Sequence, residues 1–247
     1  KIMDQHKIYD KLSEQVYGHH EVKKMLINLV RRIHLRDLQR KSGMLLDEDD
    51  LIPLKNVLLI GASGTGKTYL VECLNKVCDF ALFKYDATKL APTSAKGTSV
   101  DDIISHVTKS VNKLASNSGL SQEEVWGHVV IFIDEVDKLS KPFDSSGNWN
   151  LQIQANLLTL IENKSKFPYP VSFIFAGAFS GMDRKAKQDS TLGFCATTKK
   201  DSDDLDIDEA LIKYGLMPEF VGRMNNIASL DELREVDYRN ILELKLL

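Results

Sequence analysis

A chain of 247 residues, 43% hydrophobic and 27% charged, can bury one large core with room for a short appendage. Its 32 basic against 35 acidic residues, a net charge of -3, give no positive excess to draw a nucleic acid or an anionic membrane, so neither is expected as a partner. The cysteines, Cys73, Cys78 and Cys195, form no CxxC pair. No zinc site is expected, and the sparse, odd set fits free thiols in a reducing compartment. No run approaches the roughly 20 apolar residues of a bilayer span, and the opening KIMDQHKIYDKL has no apolar signal core. A start without methionine suggests a fragment or a processed form.

Residues 11–40 read as helical, because Val22, Met25, Leu26, Leu29, Val30 and Ile33 recur at spacings of three and four. The polar stretch from Lys41 to Asp50, leading to Pro53, reads as a loop. NVLLIG (56–61) is a short unbroken apolar run ending in Gly, which predicts a strand buried on both faces. A helix is expected from about Lys67 to Cys78, a strand at ALFKYDA and a helix from Ser99 to Leu114. HVVIFIDE (128–135) and VSFIFAGA (171–178) predict two more buried strands, with the helix LQIQANLLTLIEN between them. Strand–helix alternation of this kind predicts a parallel sheet covered on both faces, a three-layer αβα fold. The charged segment Lys199 to Asp208 reads as a surface loop. DEALIKYGL reads as a helix stopped by Gly215 and Pro218, and DYRNILELKLL as the start of an amphipathic helix. No internal repeat or low-complexity tract is visible.

Residues 61–68, GASGTGKT, match the P-loop pattern G-x-x-x-x-G-K-[ST] in full, with an apolar strand before and a helix after. The spacing has a chemical reason. Gly61, Gly64 and Gly66 let the backbone turn around an anion without Cβ clashes. Ala62, Ser63, Thr65 and their neighbours can then aim N–H groups inward, beside the positive end of the next helix. Lys67 can reach the β and γ phosphates and Thr68 can hold Mg²⁺ through its hydroxyl; Tyr69 follows directly and is grouped with the nucleotide-binding residues. VVIFIDE supplies the acids such a site needs: Asp134 to hold Mg²⁺, Glu135 to orient or deprotonate the attacking water. A GTPase reading has literal matches in Asp144–Gly147 (D-x-x-G) and Thr198–Asp201 (T-K-x-D). Both are short, and neither ends an apolar strand, where a guanine reader belongs.

From about Ile8 onward these residues resemble the AAA+ superfamily of P-loop NTPases, and within the Clp/Hsp100 family its ClpX branch. VYGHHEVKKML resembles the box lying against adenine, which implies that Val16 and Tyr17 are near the base. DEVDKLS resembles the extended Walker B segment, LLTLIE the helix that follows, and FAGAFSGMD the sensor-1 region. YGLMPEFVGRM (214–224) closely resembles the box carrying the arginine finger, which implies that Arg223 reaches the nucleotide of a neighbouring subunit in a homohexamer. TLGFCAT (191–197) resembles the loop that docks onto a ClpP-type peptidase, with Leu192, Gly193 and Phe194 as the apolar tripeptide. The resemblance implies residues 1–50 as an N-terminal helical segment, 51–235 as the large αβα domain, and 236–247 as the start of a truncated small helical domain.

The sequence departs from the family at the substrate end. In the pore loop, Ser94-Ala95-Lys96-Gly97, Ala95 stands in place of the gripping aromatic, beside Lys96. Only NKSKFPYP joins the helix ending at Glu162 to the next strand, where the family usually has a longer insertion with an R-K-H motif, and no N-terminal zinc module is expected within this sequence. The resemblance implies ATP and Mg²⁺ as cofactors and protein substrates fed to a peptidase. A divergent ATPase that remodels one dedicated partner and a non-catalytic nucleotide-gated scaffold remain alternatives. The expected compartment is a bacterial cytoplasm, or else a mitochondrial or plastid matrix.

Overall fold

In the computed structural model, residues 4–42, 50–91, 97–140, 149–162, 166–182, 206–232 and 234–246 are described. The apolar runs form an all-parallel five-stranded sheet: β1 (Val57–Ile60), β2 (Ala81–Asp86), β3 (Val129–Asp134), β4 (Ser172–Gly177) and β5 (Asn226–Ser229), in the order β2-β3-β4-β1-β5. The central strands are apolar at nearly every position because both of their faces are covered. Alternate residues nevertheless serve different layers. Leu58, Ile60, Ile131, Ile133, Phe173 and Phe175 face one core, and Val57, Leu59, Val130, Phe132, Ile174 and Ala176 the other.

The second core is closed by α1 (Gln5–Gln15), α2 (His20–Lys41) and α3 (Lys67–Cys78), through Leu12, Leu26, Val30, Leu70 and Leu74. The first is closed chiefly by α4 (Val100–Ser118) and α6 (Trp149–Glu162). α4 buries Ile103, Val107, Val111 and Ala115, one residue per turn, and is fixed at its start by a reciprocal Ser99–Asp102 capping box. Short α5 (Gln122–Trp126) carries the same box in Ser121 and Glu124. The chain continues through α7 (Ile207–Tyr214), α8 (Pro218–Val221) and α9 (Glu235–Leu246). No helix among the described residues is long and apolar enough to cross a membrane.

The single helix expected over residues 11–40 is two. α1 ends at Gln15, Val16 is extended, and Gly18 (φ 68°) and His19 (φ 52°) are left-handed before α2 begins. Buried Lys23 stabilises this break: its Nζ donates to Val16 O at 2.5 Å and Ser13 Oγ at 3.2 Å, and lies over the Tyr9 ring. Pro218 also acts differently from expectation. Gly215 (φ 117°) ends α7 as its left-handed cap, whereas Pro218 opens α8 at a first-turn position that needs no N–H donor. Gly215 is doubly constrained, since a Cβ there would lie 1.8 Å from the Ser140 carbonyl.

Burial lowers the Lys23 pKa from 10.5 to about 8. The unfolded chain therefore holds more protons than the folded one between about 8 and 10.5, and stability rises with pH across that window. Denaturant midpoints measured from pH 7 to 10 should climb in the wild type. In Lys23→Met the climb should be lost.

Candidate active site

The site lies at the carboxyl end of β1, where the sheet hands the chain to the phosphate loop. Gly61 N–H donates to Gly177 O on β4 at 3.2 Å, and Leu230 N–H to Ile60 O at 2.7 Å. The loop is thus anchored to strands on both sides. Its glycines have separate reasons. Gly64 (φ 82°) and Gly66 (φ 91°) occupy the left-handed region with open space around them. Gly61 instead lacks room, because a Cβ there would meet Leu230 O and Cβ at 3.1 Å and Thr65 Oγ1 at 2.9 Å. Ser63 and Gly64 are exposed at the tip, while Ala62 accepts from Thr65 N–H (3.3 Å) and Oγ1 (2.9 Å), closing the turn.

Lys67, the first residue of α3, is buried and donates through Nζ to Gly61 O (2.5 Å) and Ala62 O (3.0 Å). Burial pushes its pKa down, while the carboxylates of Asp134, Glu135 and Asp137 pull it back up. Those acids are brought by β3. Thr68 Oγ1 donates to Asp134 Oδ2 at 2.5 Å, placing the hydroxyl and the carboxylate at one point. Glu135 follows in the left-handed region (φ 59°, ψ 31°), an unusual conformation for a non-glycine residue that turns it out of the strand direction. Its N–H donates to Asp134 Oδ1 at 2.9 Å. Thr68 and Asp134 also line a cleft of about 340 Å³ with Tyr85, Asp86, Lys89 and Thr98, over the carboxyl ends of β2 and β3.

The break between α1 and α2 abuts this loop. His19 lies against the Thr65 backbone, and burial there lowers its pKa. The exposed Tyr69 hydroxyl donates to Gln15 O at 3.4 Å. Val16 is buried and Tyr17 exposed, so only the tyrosine ring presents a face outward. The residues from Gly61 to Tyr69, Val16, Tyr17, Asp134 and Glu135 thus gather on one side of the molecule. Ala95 and Lys96, like Leu192, Gly193 and Phe194, lie outside the described residues.

Arg223 lies elsewhere. Asn56 Nδ2 donates to Arg223 O at 3.2 Å, and Asn56 O accepts from Asn226 N–H, so Arg223 sits at the amino end of β1. The phosphate loop leaves the carboxyl end. At about 3.3 Å per strand residue the two are roughly 16 Å apart along the strand, beyond the reach of one arginine side chain. The guanidinium pairs with Glu162 at the end of α6, Nε to Oε1 at 2.7 Å and Nη2 to Oε1 at 2.5 Å.

Residues with no assigned catalytic role also bind this arrangement together. Asn56 also donates Nδ2 to Arg223 O and accepts through Oδ1 from Phe173 N–H, while Asn225 Oδ1 accepts from Asn56 N–H, so one side chain joins β1, β4 and the approach to β5. Fully buried Gln154 donates to Leu139 O and accepts from Met217 N–H, both at 2.8 Å, linking the turn after Glu135 to the start of α8. Buried Asp137 accepts from Ala178 N–H at 3.1 Å, fixing that turn to the end of β4. A polar residue inside an apolar helix pattern was the available clue to Gln154.

The family described as "ATPase family associated with various cellular activities (AAA)" matches residues 57–222. The chain belongs to this family of ATPases. It is also 30% identical over 94% of its length to proteins named "ATP-dependent Clp protease ATP-binding subunit ClpX" from Treponema denticola, Borrelia duttonii and Azotobacter vinelandii. Those alignments cover 60%, 58% and 58% of the respective relatives, so the chain spans somewhat under two thirds of their length.

Proposed function

We propose that this chain is the ATP-hydrolysing part of a ClpX-type ring motor, most plainly a hexamer, that unfolds proteins and passes them to a ClpP-type peptidase. The observation that carries the reading is the separation of Arg223 from its own phosphate loop. An arginine held at the far end of β1 can serve such a site only on a neighbouring copy. Within one site, Lys67 and the loop amides bind the β and γ phosphates, Glu135 takes or orients the proton of the attacking water, and Arg223 of the next copy meets charge on the γ phosphate. The donor set fits Mg²⁺, because Thr68 Oγ1 and Asp134 Oδ2 are hard oxygens already brought to 2.5 Å. When bound, the ion neutralises phosphate oxygens. Val16, Tyr17 and Tyr69 form the wall beside the loop that receives the base. Leu192, Gly193 and Phe194 are the proposed peptidase anchor, and a bacterial cytoplasm or an organelle matrix the proposed compartment.

A second reading, a remodeller of one dedicated partner, is favoured by Ala95, whose methyl group offers little surface for gripping a threaded chain. Turnover of the protein, measured with and without a tagged unfolded substrate and with a ClpP-type peptidase, separates the two. The motor reading expects substrate to raise turnover, and the peptidase to degrade a folded tagged protein unless Leu192 and Phe194 are changed to Ala. Turnover indifferent to every unfolded protein contradicts it and favours the remodeller.

A further inference from the structure

Arg223 is an exposed, long side chain, and by itself a guanidinium on four rotatable bonds holds no fixed direction. Here it is restrained at both ends. Its carbonyl accepts from Asn56 Nδ2 at 3.2 Å and its N–H donates to Phe220 O at 3.1 Å, which fixes the backbone. At the other end a single carboxylate oxygen, Glu162 Oε1, accepts from both Nε (2.7 Å) and Nη2 (2.5 Å). This side-on contact occupies one edge of the guanidinium and leaves Nη1, with the outer hydrogen of Nη2, directed away from Glu162. Those are donors that can bridge two phosphate oxygens.

The geometry points to Glu162 as a positioning residue for the arginine finger: it holds the Arg223 guanidinium so that its unoccupied edge meets the γ phosphate bound by the adjoining copy. The inference rests on the reading of Arg223 as a finger acting in trans. It assigns Glu162 no contact with nucleotide. Its carboxylate acts on the rate by limiting the orientations of another residue, a preorganisation effect. The placement of Glu162 on α6 adds a link, because the same helix carries Gln154, which bonds the turn after Glu135 and the residue before α8. One helix thus fixes the acid turn of its own site and the finger offered to the next.

The pair is half exposed, with side chains 55% and 40% accessible, so its loss should leave the thermal midpoint nearly unchanged. Steady-state ATP turnover of the assembled protein should separate rate from binding. Glu162→Ala is expected to lower kcat on the order of 10-fold to 100-fold with KM for ATP unchanged. Glu162→Gln, which keeps an acceptor oxygen, should recover part of the loss. In an Arg223→Ala background, Glu162→Ala should cost nothing further, because the group it orients is gone. A loss in Arg223→Ala with none in Glu162→Ala overturns the inference and leaves the finger standing. So does a Glu162→Ala loss that persists undiminished in the Arg223→Ala background, which would mean that Glu162 acts through another residue. Unchanged turnover in Arg223→Ala removes the finger and the inference together.

Discussion

Arg223→Ala should lower ATP turnover by about 10³- to 10⁵-fold, the range found for arginines that stabilise phosphoryl-transfer charge. The size follows from what is lost. A planar, permanently charged fork leaves the γ phosphate at the point where negative charge is redistributed. ATP affinity should change little, since Lys67 and the loop amides, which are proposed to hold the phosphates in the ground state, are untouched by the substitution. Arg223→Lys should remain strongly impaired, because an ammonium cannot contact Glu162 and two phosphate oxygens at once. Steady-state turnover beside equilibrium binding of a fluorescent ATP analogue checks both halves. A variant that binds less tightly but turns over at the wild-type rate would show Arg223 to be an ordinary surface residue.

Glu135→Gln should reduce turnover by about 10²- to 10⁴-fold while preserving ATP binding. The substitution keeps the side-chain shape and removes its ability to take a proton. It also leaves the left-handed backbone at this position as it is, so the loss reports chemistry rather than a collapsed turn. Asp134 should behave differently. Its Oδ2 shares a 2.5 Å contact with Thr68 Oγ1, so Asp134→Ala removes an oxygen from the proposed Mg²⁺ position and should weaken nucleotide binding as well as rate. Single-turnover hydrolysis with a parallel binding titration distinguishes the two acids.

Much of this was legible in the residues because burial and chemistry speak locally. The runs at 57–60, 129–134 and 172–177 announce strands since both faces are covered, and the glycine spacing of 61–66 announces a turn that other residues cannot make. β5 was not anticipated: Asn226–Ser229 is short and half polar, and becomes a strand only because β1 offers it an edge. The break at Val16–His19 was hidden because apolar spacing continues on both sides. It is held by a lysine buried against a backbone carbonyl, a contact that no periodicity reports. The phosphate loop and acid pair were visible as motifs. Their mutual placement, and the distance of Arg223 from them, depend on strand register and had to be seen in three dimensions. Asn56 and Glu162 are not legible as site residues for the same reason, and Gln154 only as a polar residue in an apolar helix: each acts by joining segments far apart in sequence.

The central claim, that each catalytic centre is completed by a neighbouring copy, is tested most directly by mixing two inactive variants, Glu135→Gln and Arg223→Ala. A junction in which the Arg223→Ala copy binds ATP and the Glu135→Gln copy supplies the arginine has every catalytic group intact, and random assembly places roughly a quarter of junctions in that arrangement. The account predicts that turnover reappears on mixing and scales with the product of the two fractions. A mixture as inactive as either variant alone, under conditions where the copies are shown to co-assemble, would contradict it.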